Sequence, residues 1–183
     1  MDRRHFLLAA PLSVAAAGGG ICYLMLQRMQ AGTYDPHGVP SPLIGKPVPD
    51  FVLPPLGAGP GLASAELRAP PRPVLVNFFA SWCVPCTQEA PELKALHDRG
   101  VPLYGIAYKD APQDALAFLR RLGNPYLRVA ADRSGRVAID FGLYGVPETY
   151  FIDKSGIIRW RWAGPLLPDV ARDQLASLLR TYA

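Results

Sequence analysis

The chain has 183 residues, half of them apolar, and 19 Lys and Arg against 15 Asp and Glu give it a formal charge of +4. That is enough for one domain with a proper core plus an appendage. Setting aside the first 32 residues removes Arg3, Arg4, Arg28 and Asp2 and leaves 16 basic to 14 acidic residues, with no basic stripe among aromatics, which excludes nucleic acid as a partner.

Phe6 to Leu26 is 21 residues without a charge. At about 1.5 Å per residue, a helix of that length crosses the roughly 30 Å hydrocarbon core of a bilayer. Arg3 and Arg4 precede it and Arg28 follows, a bias that puts the N-terminus inside and the rest of the chain outside the cytoplasm. Residues 1–32 therefore read as a signal anchor with one transmembrane helix, and the remaining chain as lying outside the cytoplasm. A cleaved signal peptide ending at the AxA-like Ala15 to Ala17 competes with this reading, although apolar sequence continues past that site. Pro11 and Gly18 to Gly20 weaken a continuous helix. Arg3-Arg4-His5-Phe6-Leu7 resembles a twin-arginine signal, which alters the export route and not the destination. Lipidation at Cys22 is disfavoured by Ile21, which stands where a small residue is expected.

Residues 33–49 carry Pro36, Pro40, Pro42, Pro47 and Pro49 and read as an extended linker with no stable element. Asp50 to Leu56 is expected to be a short first strand, broken by Pro54-Pro55 and the Gly57 to Gly61 turn, with Glu66 to Pro73 a further loop. Val74 to Phe79 is an apolar, β-branched and aromatic run of the kind a strand buried on both faces requires. A helix then opens at Cys83, and Pro91 is expected to kink it before His97. Val101 to Ala107 reads as a second apolar strand and Ala111 to Leu122 as an amphipathic helix, giving a β-α-β-α order. Leu127 to Ala131 fits a short strand and Ser134 to Phe141 a short helix. Thr149 to Ile152 and Ile157 to Trp162 flank the turn signal Asp153 to Gly156 and predict an antiparallel hairpin. Val170, Leu175, Leu178 and Leu179 stripe a terminal helix.

The chemistry concentrates at Trp82-Cys83-Val84-Pro85-Cys86. At a helix start, unpaired N–H groups and a partial positive charge favour thiolate, the nucleophilic form of Cys83. Two cysteines three apart on one turn can close a disulfide, so an attack by Cys83 on a partner's disulfide can be resolved by Cys86. The competing reading is half a zinc site, which needs two further Cys or His ligands; there is no second CxxC, and His97 is the only downstream histidine. No metal or other cofactor is therefore expected.

WCVPC, its preceding strand and Pro91 resemble the thioredoxin superfamily, and Phe141 to Asp153, FGLYGVPETYFID, is similar to the cis-proline segment of periplasmic thiol:disulfide interchange proteins of cytochrome c maturation, the DsbE/CcmG type. The likeness runs from about Ile44 to the C-terminus. It implies an α/β thioredoxin-like fold over residues 50–183, a central mixed sheet flanked by helices with a central insertion, behind the N-terminal transmembrane helix, and places that domain in the periplasm on the bacterial inner membrane.

The resemblance also assigns roles. Cys83 and Cys86 become the catalytic pair and form a Cys83–Cys86 disulfide when oxidised. Pro147 becomes a cis-proline beside them, and Val146 before it offers its backbone to an extended partner segment, much as in strand addition. Trp82 both packs and rims the site. Asn77 stands where thioredoxins themselves usually carry a buried aspartate, so it is either a satisfied core amide or a group near Cys86. Glu89, three residues after Cys86 and matching the family's glutamate, is the proton-handling candidate, and Glu148 is the acid of GVPET. Together the two glutamates are expected to make the groove acidic.

The implied function is a reductant, with Cys83 attacking, Cys86 releasing the partner, and a membrane electron donor re-reducing the pair. The implied partner is apocytochrome c with a CxxCH site, or another thiol factor of that pathway. A general periplasmic reductase is the nearest rival, and a copper-carrying module of the same fold a more distant one. Peroxidase chemistry is excluded because Val76 and Ala80 stand where PxxxTxxC needs Pro and Thr.

Overall fold

The computed structural model describes residues 3–30 and 41–182 and divides the chain into two units, Met1–Val39 and Pro40–Ala183. In the first unit, α1 (Arg3–Gln30) is one continuous helix that passes through Pro11 and Gly18 to Gly20, where the sequence predicted weakening. Its side chains are described from Val14 to Gln27, so those of Phe6 to Ser13 and of the twin-arginine stretch lie outside the described residues, as does the linker from 31 to 40. Among the described residues, no helix is long and apolar enough to cross a membrane.

The second unit is built on a five-stranded mixed sheet in the order β5-β4-β3-β6-β7. Its central strand is β3 (Val74–Phe79), and every residue of it is buried, because both edges are paired and both faces covered. β4 (Leu103–Tyr108) runs parallel to β3 and returns through α3 (Val84–Asp98); β5 (Arg128–Asp132) runs parallel to β4 and returns through α4 (Pro112–Leu122). β6 (Glu148–Ile152) lies antiparallel on the other side of β3 and continues as a hairpin into β7 (Ile158–Ala163). α3 runs unbroken through Pro91 to Asp98.

The alternation of β3 divides the core in two. Leu75 and Phe79 face a cluster with Leu93 and Leu96 of α3, Phe118 and Leu119 of α4, and Val170 and Leu175 near the C-terminus. Val76 and Phe78 face a cluster with Leu67, Val137, Phe141 and Tyr150. There Phe78 meets the Phe141 and Tyr150 rings edge-on at 5.2 and 5.8 Å, the geometry that aromatic quadrupoles favour. This second face is closed by α5 (Arg136–Asp140) and α2 (Ser64–Arg68).

Four segments differ from expectation. The first strand shrinks to β1 (Val52–Leu53), which pairs with β2 (Leu62–Ala63) as a separate small hairpin; around it, Leu56 N–H donates to Val129 O and Ala131 N–H to Pro54 O at the β5 edge. Prolines at 54 and 55 limit the strand to that length. Ser64–Arg68, partly read as loop, is the short helix α2, whose Leu67 is fully buried. Gly45 to Val48, read as linker, docks on the start of β7: Gly45 N–H donates to Ile158 O and Val48 N–H to Gly156 O, and Val48 is fully buried. The terminal helix is α6 (Pro168–Val170), a π-helical turn (Ala171–Leu175) and α7 (Ala176–Tyr182).

Gly156 sits in the hairpin turn at φ +73°, and a Cβ there would come within 2.4 Å of the Arg68 backbone. Both the conformation and the space require glycine. Gly156→Ala is expected to lower unfolding free energy by about 2 kcal/mol or more, read from urea denaturation, without changing the slope of the transition.

Candidate active site

The site forms where β3 ends and α3 begins. Cys83 caps α3 in an extended conformation, and its Sγ accepts from Cys86 N–H at 3.1 Å. Cys83 and Cys86 are joined as a disulfide with Cα atoms 5.3 Å apart. Both residues are buried, at 3% and 2% exposure, so accessibility does not distinguish them, whereas the cap position does: the Cys83 sulfur stands among the unpaired N–H groups of the helix start. Around the pair Trp82 and Val84 are exposed, and the Trp82 ring leans toward Tyr108 at 6.5 Å. Ser81 is pinned from the turn after β4, since both its N–H and its hydroxyl donate to the Asp110 carboxylate.

The Val146–Pro147 peptide is cis. Phe78 pairs with Glu148, so Pro147 reaches the same end of the sheet from which α3 departs, and Val146 packs against the cluster that contains Cys83 and Cys86. The loop is held from both sides: at its start the Tyr150 hydroxyl shares its one hydrogen between Phe141 O and Glu148 Oε2, and at its end Gly164 N–H donates to Pro147 O.

Glu89 and Glu148 lie on opposite faces of the sheet, and this corrects the expectation of an acidic groove. Glu89 is fully buried on the α3 face. Its Oε1 accepts from Asn77 Nδ2 at 3.0 Å and its Oε2 from Leu166 N–H at 2.9 Å. Burial pushes its carboxyl up from 4.5 to about 7, against the opposing effect of those two donors. Glu148 is 1% exposed on the other face, where it accepts from Tyr144 N–H, Tyr150 O–H and the Arg161 guanidinium. Its charge is therefore matched inside the protein, and it presents none to a partner.

Asn77 is satisfied at every polar atom of its amide: Nδ2 donates to Glu89 and to Thr149 Oγ1, and Oδ1 accepts from Tyr126 O–H at 2.6 Å. The sequence reading missed three residues of this site. Arg161 was legible in principle, because in the β6–β7 register it faces Tyr150 and so lies diagonal to Glu148 on one face. Tyr126 comes from a loop, and no periodicity points to it. Asp110 follows Lys109, which is held at φ +46°, in a turn that sequence pattern does not specify. Among the described residues, no three His, Cys, Asp or Glu side chains come together as a metal site.

The AhpC/TSA family profile matches residues 44–161. The chain is 40% identical to the thiol:disulfide interchange protein HelX of Rhodobacter capsulatus over 94% of this chain and 95% of that one. It is 46% identical to the thiol:disulfide interchange protein DsbE of Pseudomonas aeruginosa over 79% of each. The chain belongs to this thioredoxin-like family of DsbE/HelX interchange proteins. It is accordingly a thiol:disulfide oxidoreductase. In fold, a crystal structure from Chlorobium tepidum described as DsbE superposes with a TM-score of 0.64 at 24% identity, covering 76% of this chain and 98% of that one.

The raised Glu89 value has a thermodynamic consequence. Its folded-state value lies above its ordinary one, so the folded protein holds this proton between about pH 4.5 and 7, and stability falls as pH rises through that window. At about 1.4 kcal/mol per unit the loss is on the order of 3 kcal/mol. Glu89→Gln is expected to flatten that slope, measured as unfolding free energy against pH for the two proteins.

Proposed function

We propose that this protein is a membrane-anchored periplasmic reductant that passes electrons from the Cys83/Cys86 dithiol to disulfides of apocytochrome c or of its maturation factors. The observation that carries the reading is the Cys83–Cys86 pair at the start of α3, with the cis Val146–Pro147 loop packed against it and a near-neutral carboxyl one turn further on. In the proposed reaction Cys83 thiolate attacks one sulfur of the partner disulfide. A mixed disulfide forms, and the partner's other sulfur leaves as thiolate and takes a proton from water. Cys86 gives its proton to Glu89 and attacks Cys83 Sγ; the Cys83–Cys86 bond forms, and the partner leaves fully reduced. Two electrons have moved to the partner, and a dithiol donor at the membrane restores the pair.

The cytochrome client rests on the GVPET segment, Gly145 to Thr149, and on the family. Charge does not support it, since Glu148 and Glu89 are both buried. The test is therefore kinetic. An oxidised CxxCH apocytochrome peptide is expected to be reduced faster than insulin, with a ratio little changed by salt, and Cys86→Ser is expected to trap the peptide on Cys83 as a mixed disulfide. Equal rates on both substrates favour a general reductase, and trapping by Cys83→Ser instead reverses the assignment of attacking thiol.

The anchor rests on the uncharged Phe6 to Leu26 and its Arg flanks. Expressed in a Gram-negative host, the protein is expected to remain in the membrane fraction at full length. A mature N-terminus at Gly18 overturns this part of the reading.

A further inference from the structure

We infer that Tyr126 is a positioning residue for the exchange reaction: its hydroxyl fixes which way the Asn77 amide faces, and through that amide it keeps Glu89 a proton acceptor for Cys86. The inference rests on the role given to Glu89 above.

The Tyr126 ring lies in the core between α4 and β5, stacked on Phe79 with centroids 5.3 Å apart. Its seat exists because Gly105 has no side chain: a Cβ there would come within 2.7 Å of the ring. Gly105 is also the β4 partner of Asn77, so the missing side chain opens space beside the residue that Tyr126 reaches. The hydroxyl ends 2.6 Å from Asn77 Oδ1. Burial, and then the charge of Glu89, push this phenol well above its ordinary value, so it keeps its hydrogen and has one to donate. An amide has one accepting and one donating end. With Oδ1 taken up by the phenol, Nδ2 has to face Glu89 Oε1 and Thr149 Oγ1, both at 3.0 Å. Leu166 N–H occupies Oε2, so both oxygens of Glu89 meet donors. Cys86 stands one turn before Glu89 on the same helix, and Asn77, Leu166 N–H and, beyond Asn77, Tyr126 are the groups facing it from the other elements. Donors favour the carboxylate; a carbonyl turned toward Glu89 would favour the acid. Without the phenol hydrogen, Oδ1 is a buried acceptor with no donor, and turning it toward a protonated Glu89 and the Thr149 hydroxyl satisfies it.

The experiment uses the purified full-length chain. In the oxidised protein the infrared band of protonated carboxyl is followed against pH, for wild type, Glu89→Gln, Tyr126→Phe and Thr149→Val. In parallel, a small thiol is loaded onto Cys83 as a mixed disulfide and its release by Cys86 is timed. A band titrating near pH 7 is expected in wild type and absent in Glu89→Gln. Tyr126→Phe is expected to raise the midpoint by about one unit, which slows release about fivefold at pH 7 and leaves it nearly unchanged at pH 9. Thr149→Val, which removes another partner of Asn77 but leaves the phenol in place, is expected to move the midpoint far less. A band that survives in Glu89→Gln overturns the role of Glu89 and the inference with it. Loss of the band in Glu89→Gln with an unmoved midpoint in Tyr126→Phe overturns the inference alone. An equal shift in Thr149→Val also overturns it, because the midpoint then reports a loosened core and not the amide's orientation.

Discussion

A carboxyl group buried one turn into the redox helix has to be met by donors, and that requirement organises the α3 side of this protein. Glu89 is fully buried, and the two donors that meet it come from elements far apart in sequence: Asn77 on the central strand and Leu166 N–H ahead of the terminal helix. An unpaired buried carboxylate would cost several kcal/mol, enough to remove much of a small domain's stability. The register of β3 against β6 follows from the same need, because it sets Asn77 opposite Thr149, which takes the amide's second hydrogen. Slipping that pairing by one residue would put Glu148 at the place of Thr149 and turn each of their side chains to the other face.

That single-residue alternation puts Glu148 on the face of the sheet away from Glu89. Thr149 points toward α3 and the exchange centre, while Glu148 and Tyr150 point toward Phe78 and Phe141. Glu148 thus works on the loop, since its contacts to Tyr144 N–H and Arg161 tie the residues before Pro147 to the β6–β7 hairpin. Glu89 lies one turn beyond Cys86 on α3. Under the proposed function, one strand carries the partner-facing loop at its start and, one residue later, a contact of the amide that meets Glu89, so both depend on one register.

Much of this was legible in the sequence wherever one residue's neighbours are set by local period. Val74 to Phe79 is apolar throughout and became the central strand; residues 115, 116, 118, 119 and 122 mark the face of α4; the Asp153 to Gly156 turn fixed the last hairpin. WCVPC gave the site itself. What escaped depends on non-local pairing. Gly45 to Val48 has the composition of a linker and is ordered because the start of β7, an edge strand, offers it hydrogen bonds. The acidic groove failed because Glu148, next to Pro147 in the chain, does not share that proline's outlook: β6 turns it onto the Phe78 face, away from Glu89, and both carboxyls are buried. Tyr126 was invisible for another reason: its importance comes from the absent side chain at Gly105, on a different strand.

With both glutamates buried, neither puts its charge on the surface around the disulfide, and a cation on the Trp82 side is Lys109, over the Tyr108 ring at 5.4 Å. Trp82 and Val84 on one side and Tyr144 on the other are largely exposed, the last with its ring against the Arg161 guanidinium at 4.7 Å. Such a rim suits an extended segment with apolar side chains, and the two buried glutamates add no charge to steer it. Under the proposed function, selection between clients then falls to contacts made at close range. The rigidity of the Val146–Pro147 loop becomes the specificity element, because a fixed loop rejects segments that a mobile one would accommodate. The buried Glu148–Arg161 pair ties the residues before the loop to the β6–β7 hairpin, and in that indirect way the glutamate of GVPET would bear on recognition without touching the partner.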